Sequence, residues 1–467
     1  MPEDNVSVIS EAGSGKLKKT ALLITTISAF TTPFMSSSIN IALPAIGKEF
    51  MLNAVLLSWV ASSFLLSAAV FLVPFGKLAD IYGRKKLFLT GMIVYTASSL
   101  MSAMSDSVFL LLSSRVLQGL ASAMVFGTAV AILTSVYPPG ERGKALGINV
   151  SATYFGLSIG PFLGGVLTQN LGWRSLFYVN VPLGIIVIFL AITRLKGEWA
   201  EAKGEKFDAA GSLVLALSLA MLMYGFTLLP STNGAILILL AIAGFLIFIK
   251  QENRAENPVL NVRLFRHNTV FMFSNAAALI NYSATFAIGF LLSLYLQYIK
   301  AFTPQAAGLV LVAQPAVMMI VSPFAGRLSD RIEPGVIASV GMGLLALGLF
   351  VLIFIGTGTP TVYIILALII IGLGFGLFSS PNTNAIMSSV EKKIYGVASA
   401  TLGTMRLTGQ MLSMAISIMV FSIVIGRVRI TPGYYGMFLY SIKILFAVFT
   451  VLCVAGIFAS LARGKVR

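Results

Sequence analysis

The sequence predicts an all-α polytopic membrane protein with about fourteen spans, arranged as two related six-span bundles and one extra pair of spans between them. Three observations carry that prediction. Hydrophobic residues make up 57% of the 467 and charged residues only 10%, giving a mean hydropathy of +0.94, far from the usage of a soluble domain. Apolar stretches of roughly 20 residues, long enough to cross a bilayer as a helix, recur along the chain, and helices satisfy their backbone polar groups internally in lipid. Finally, a short charged segment of the first half is echoed in the second.

Taken in order, residues 1–19 read as a tail whose Lys16, Lys18 and Lys19 precede an uncleaved first span, because the run from Thr20 to Ile46 exceeds the apolar core of a signal peptide. The first bundle covers 20–194, with spans near 20–43, 56–79, 87–104, 108–136, 145–168 and 174–193. A linker over 195–267 carries the extra spans, near 209–229 and 234–249. The second bundle and a short tail fill 268–467, with spans near 268–299, 305–326, 335–356, 361–380, 395–425 and 437–462. The polar stretch at 250–267 alternates charged and apolar residues, which suits either a short amphipathic helix on the membrane surface or a solvated linker. An even number of spans places both termini on one side. Lys and Arg number 24 in the loops and tails of that side against 5 on the other, so the termini are expected in the cytoplasm and the chain in the plasma membrane.

Composition also excludes functions. The net charge of +16 is dispersed over short loops, which is positive-inside topology and not a nucleic-acid surface. A single cysteine, Cys453, and a single histidine, His267, rule out a disulfide framework and argue against a metal site built on Cys and His; no metal or cofactor is expected. There is no G-x-x-x-x-G-K-S/T phosphate loop and no H-E-x-x-H helix, so neither an ATP-driven motor nor a membrane enzyme is expected. Membrane lipid is an expected partner and nucleic acid is not. No oligomer is implied.

The charged segment is "GKLADIYGRKK", residues 76–86. Gly76 permits close helix packing, Gly83 suits a positive φ, and Asp80 near a helix end can satisfy orphan amides or pair with Arg84 ahead of Lys85. Its echo is Gly326-Arg327-Leu328-Ser329-Asp330, followed by Arg331, and "PPGERGKALG" at 138–147 has a partner in "VEKKIYGVASA" at 390–400. Such repetition marks a duplicated unit. Residues 76–86 resemble motif A of the major facilitator superfamily, and the resemblance implies that fold and a cytoplasmic latch between two bundles at Gly76, Asp80, Gly83, Arg84 and Lys85, with Gly326, Asp330 and Arg331 as its second copy.

Two further stretches extend the resemblance. "RVLQGLASA" at 115–123 is similar to the R-x-x-Q-G of motif B, with Arg115, Gln118 and Gly119 in place. A guanidinium within a span is costly and faces a cavity or a partner; the resemblance implies a part in proton coupling for Arg115, against the alternative that it only braces the bundle. "GLSIGPFLGG" at 156–165 is similar to the antiporter motif C through Gly156, Gly160, Pro161, Gly164 and Gly165. Its small-residue spacing makes a flat helix face, and Pro161 bends the helix. With "GWRSLFYVNVPLG" (172–184), "ENPVLNVRLF" (256–265) and "GLGFGLFSSPNTNAI" (372–386), the chain looks like a fourteen-span drug:proton antiporter, which implies export of drug-like or amphipathic molecules.

One position departs from that pattern. The segment "INIALP" (39–44) matches a family segment with an aspartate five residues before the asparagine, and here Met35 stands there. No Asp or Glu lies deep in any span. A desolvated carboxylate both neutralises cationic drugs and exchanges protons near neutral pH; without one, a cavity holding Arg115 and Arg406 favours neutral or anionic substrates. The polar and aromatic residues within spans that are candidates to line that cavity are Asn40, Asn149, Tyr154, Asn281, Tyr282, Tyr295, Gln314, Asn382, Asn384, Arg406 and Gln410. For each, the competing role is helix-to-helix glue. A facilitator of a neutral, anionic or lipid-like metabolite is the alternative function.

Overall fold

A computed structural model describes residues 11–255, 263–391 and 395–464. The expected surface segment at 250–267, the stretch 256–265 and the repeat partner at 390–400 therefore lie partly outside the described residues. The regular structure is helical: α1 (Glu11–Glu49), α2 (Ala54–Tyr82), α3 (Arg84–Ala103), α4 (Val108–Val136), α5 (Pro139–Leu171), α6 (Ser175–Thr193), α7 (Ala209–Leu228), α8 (Thr232–Glu252), a short α9 (Arg263–His267), α10 (Thr269–Thr285), α11 (Ala287–Leu294), α12 (Pro304–Leu311), α13 (Ala313–Ser329), α14 (Pro334–Leu352), α15 (Thr361–Ser388), α16 (Tyr395–Val424) and α17 (Tyr435–Ala462). A π turn, Tyr295–Ile299, extends α10 and α11 into one rod, and α12 with α13 forms another, so fourteen long rods follow one another. Among the described residues, thirteen of them are long and apolar enough to cross a membrane. The exception is α3, of similar length, whose first turn carries Arg84, Lys85 and Lys86.

The rods start where side chains can satisfy their orphan amides. Asn53, Ser107, Asp208, Ser231, Asn268 and Thr303 each accept from a backbone N–H in the first turn of the helix that follows. Helices α1–α6 pack on one another, as do α10 and α13–α17. The extra pair, α7 and α8, forms a hairpin whose α7 leans on α2 and α16, one helix from each bundle. Leu239, Leu240, Leu246 and Ile247 on the outer side of α8 stay exposed, as expected of a lipid-facing surface.

Hydrogen bonds fix which ends share a face. On one, the Glu49 carboxylate accepts from Arg174 (2.7 and 2.9 Å) and from Trp173 Nε1 (2.7 Å), and Arg429 Nε donates to the Met51 carbonyl (3.1 Å). On the other, Lys18 pairs with Glu141 (2.8 Å), and the Tyr137 hydroxyl donates to the Lys18 carbonyl (2.9 Å). Helix α17 begins beyond Arg429, so its end returns to the face where α1 begins. We call this the terminal face.

Candidate transport site

The charged segment 76–86 is built at the terminal-face turn between α2 and α3. Gly83 alone separates these helices and takes φ of +117°, a conformation that costs glycine least. A Cβ there would also strike the Glu198 carboxyl carbon, 2.5 Å away. Glu198 caps α3 from outside, accepting from the Lys85 and Lys86 amides at 2.8 and 3.1 Å. Arg84 is 8% exposed and holds three partners: Asp80 (2.9 Å from Nε), the Ser135 hydroxyl on α4 (2.7 Å) and a two-pronged pair with Glu201 (2.7 and 2.9 Å). Lys77 pairs with Glu205 (2.5 Å), the Arg84 amide donates to the Trp199 carbonyl (2.8 Å), and the Ala202 amide donates to the Asp80 carbonyl (2.9 Å). All these partners except Asp80 and Ser135 lie on the 194–208 strap that leads into α7. The sequence marks the charged turn but not its strap, whose only signal is three glutamates, Glu198, Glu201 and Glu205, set opposite four bases.

In the second copy, a Cβ on Gly326 would meet Ser380 Oγ of α15 at 2.7 Å, and the Asn384 amide of α15 donates to the Ser329 hydroxyl (2.9 Å). The α2/α4 relation is thus repeated as α13/α15. Arg331 lies exposed at the terminal face.

At the opposite face the bundles are drawn together. Ser293 Oγ donates to the Asn40 carbonyl (2.6 Å), Gln297 Nε2 to the Ile41 carbonyl (3.0 Å), the Ala54 amide to the Val428 carbonyl (3.0 Å), and the Gln305 amide to Gln169 Oε1 (3.3 Å). The glycine stripe of α5 sits in this region. Gly156, Gly160 and Gly164 face α1, where Ser38 Oγ donates to the Gly160 carbonyl (2.9 Å). Gly165 faces the other way, onto α12, where a Cβ would stand 2.5 Å from the Pro304 carbonyl oxygen. Gly308 on α12 returns the contact by resting on the Pro161 carbonyl. Toward the terminal face α5 loosens, and Ile148, Val150 and Phe155 are exposed.

Arg115 is 1% exposed inside the first bundle. Its Nε donates to the Val60 carbonyl (3.1 Å), its Nη1 to Gln118 Oε1 (2.5 Å), and its guanidinium carbon sits 4.6 Å from the centre of the Phe64 ring. Gln118 passes the network to Ser99 Oγ (2.8 Å), and Gly119 lets α4 close on the Phe64 carbonyl. Met35, also buried, accepts a contact from Asn180 Nδ2 through its sulfur (3.4 Å), so this position faces α6 within the bundle.

The cavity candidates divide. Asn149 donates to the Thr25 carbonyl (2.9 Å), and Asn382 donates to the Ser274 carbonyl (3.0 Å) while accepting from Arg463 (3.1 Å); both are glue. Burial pulls the Arg463 guanidinium down to about 10, against the opposing charge of Glu333. Asn384 belongs to the second gate copy, Asn40 to the closed seam, and Asn281 is fully buried in the second bundle. Gln314 and Gln410 remain partly accessible. Tyr154 and Arg406 come together with Tyr282, a further candidate, and with Ser379, which the sequence did not single out for the site. The Tyr154 hydroxyl of α5 lies 3.2 Å from Ser379 Oγ of α15, joining the bundles midway along both helices, and Arg406 of α16 stacks its guanidinium 5.2 Å from the centre of the Tyr282 ring. Tyr282 is steadied edge-on by Phe375 (5.5 Å).

Residues 25–414 match the family model described as Major Facilitator Superfamily. The chain belongs to that superfamily. It is a secondary transporter of a small molecule, an integral membrane protein and not an enzyme. It is 30% identical over 394 residues to the riboflavin transporter RibZ of Clostridioides difficile, covering 84% of this chain and 85% of RibZ. To the multidrug resistance protein Stp of Mycobacterium tuberculosis it is 31% identical over 401 residues, covering 85% of this chain and 74% of Stp. Among solved structures, a bacterial homologue of the human lysosomal transporter Spinster superposes with a TM-score of 0.68 at 15% identity, over 97% of this chain and 98% of that one.

Proposed function

We propose that this chain is a fourteen-span exporter of drug-like or amphipathic small molecules in the plasma membrane, of the drug:proton antiporter type, with its terminal face in the cytoplasm. The first bundle spans 20–194, the extra pair lies within 195–267, and the second bundle and its tail occupy 268–467. The observation that carries this reading is the seam: both bundles meet tightly at the opposite face, while a polar cluster from both, Tyr154 with Ser379, sits midway down. That arrangement suits a carrier caught open toward the cytoplasm around a midplane site. Motif A and its second copy would then govern opening and closing, motif C the sliding of α5, and Arg115 the coupling to protons through its bundle.

A second reading has its own support. With Met35 at the usual aspartate position and no carboxylate deep in a span, the cavity is poorly suited to lipophilic cations, and RibZ is named for a riboflavin substrate. A carrier of neutral or anionic metabolites fits those two facts. Reconstitution in proteoliposomes separates the readings: trans-stimulated exchange of riboflavin and of ethidium would be followed together with lumenal pH. A carrier shows trans-acceleration, and an exporter of the proposed type moves protons against its substrate while handling ethidium poorly. Robust pH-dependent ethidium efflux would overturn the substrate reading, and flux without trans-acceleration would overturn the carrier mechanism.

A further inference from the structure

We infer that Arg406 is an anion-recognition residue, binding a carboxylate, phenolate or phosphate group of the transported molecule at the midplane. The inference rests on the carrier reading and adds the chemistry of the group that the site takes. Arg406 lies eleven residues into α16, about 16 Å from its terminal-face end at 1.5 Å per residue. Among the described residues, the acidic side chains lie at helix ends or in loops. On α16 and its approach the nearest is Glu391, fifteen residues away, and α10, α11 and α15 contain none. Its electrostatic neighbours are the phenols of Tyr282 and Tyr154. Among the described residues its buried Nε has no hydrogen-bond partner.

Such a charge contrasts with Arg115 within α4 and Arg463 just past the end of α17, two guanidinia that are almost fully buried. Both of those are about 1% exposed and turn Nε onto a backbone carbonyl, Val60 and Ser460 respectively. Arg406 keeps part of its surface accessible and is clamped in orientation instead of neutralised. Gly409, one turn on, lets α16 approach α10 so closely that a Cβ would stand 2.7 Å from the Leu279 carbonyl and 2.8 Å from Tyr282 Cβ. That contact holds the ring under the guanidinium. An isolated guanidinium in a low-dielectric site is costly, and an incoming anion offsets the cost by a paired, charge-assisted hydrogen bond. Tyr154, an electrostatic neighbour of Arg406, shares a hydrogen bond with Ser379 of the other bundle, so further hydroxyls lie near the guanidinium.

The test uses the purified full chain in detergent and a matched pair of probes, 1-naphthoate and 1-naphthamide, which differ in charge and scarcely in shape. The wild type should bind the acid at least about tenfold more tightly than the amide, as charge-assisted bonds contribute. Arg406→Gln should reduce that ratio to near one. Arg406→Lys, which keeps the charge and guards against a folding defect, should restore a clear preference for the acid. Equal affinities in the wild type, no binding of either probe at millimolar concentration, or an acid preference that survives Arg406→Gln would overturn the inference. Exchange in proteoliposomes is scored separately. Acid-selective binding without any exchange would leave the anion site standing and remove the carrier reading, whereas exchange of the amide alone would do the reverse.

Discussion

Gly165 gives the sharpest prediction, because it is the glycine of the α5 stripe that faces the partner bundle. A methyl at this position would stand 2.5 Å from the Pro304 oxygen, 3.0 Å from the Pro304 carbonyl carbon and 2.9 Å from Gln305 Cα. Every one of these is backbone, fixed by the Thr303 cap and the proline at the start of α12, so no side-chain rotation relieves the clash. Overpacking of this kind costs about 1–3 kcal/mol, and here the cost falls only on the conformation with the seam closed. Gly165→Ala should therefore shift the equilibrium toward an open seam by about 5- to 150-fold. Gly164→Ala is the control: its methyl would stand 2.8 Å from Ser38 Cβ of α1, inside the first bundle, and should lower stability without opening the seam. The assay is labelling of Ser293→Cys by a membrane-impermeant maleimide applied at the opposite face. Ser293 is fully buried in the seam, and the native Cys453 is buried and should stay silent. Gly165→Ala should raise the labelling rate by the factor above, and Gly164→Ala by less than about twofold. Equal labelling of the two variants, or no rise with Gly165→Ala, would refute the assignment of this seam as the element that opens.

Three further outcomes are expected. Glu198→Ala removes the external cap of α3 and should cost about 0.5–2 kcal/mol in thermal unfolding of the purified chain, more than Glu201→Ala, whose side chain is 69% exposed and whose pair with Arg84 is worth at most about 1 kcal/mol. Asp80→Asn weakens one of three partners of Arg84, so turnover in proteoliposomes should change by about two- to fivefold with the ranking of substrates unchanged; a reordered ranking at normal turnover would count against a gating role. Arg115→Lys cannot reproduce the fork to Val60 and Gln118 and should lower unfolding stability by about 1–3 kcal/mol, and a variant as stable as the wild type would show that the network does not brace the bundle.

Much of the fold was legible because a bilayer leaves few choices. The fourth span is bounded in the sequence where it is bounded in the structure, Val108 and Val136, since Ser107 caps its start and Pro138 follows its end. The first span was read too short: α1 runs through Pro44 to Glu49 and begins before Thr20, because polar but helix-tolerant residues extend it beyond the apolar core. The breaks within the 269–299 and 304–329 rods left no mark in the hydropathy. At the site, Arg84, Arg115 and Arg406 stand out as charges, and the near partners Asp80 and Gln118 are legible beside the first two, but the distant partners are not. Glu201 reaches Arg84 from a loop more than a hundred residues away, and Tyr154 meets Ser379 across the two bundles. Such pairings are set by tertiary packing, so spacing along the chain cannot predict them.

The two copies of the charged segment are related in sequence and unequally held. In the second, an amide on the neighbouring helix, Asn384, secures the Ser329 end of the repeat, and the contact stays within one bundle. In the first, Lys77, Arg84 and the amides of Lys85 and Lys86 are all tied to a strap that belongs to neither bundle. The strap ends at Asp208, which caps α7, and α7 leans on α2 and α16 together. A displacement of the α2–α3 turn must therefore either break four charge-assisted contacts or carry the strap with it, and the second course pulls directly on the helix that touches both bundles. The extra pair of helices is in this way mechanically linked to the charged turn between α2 and α3.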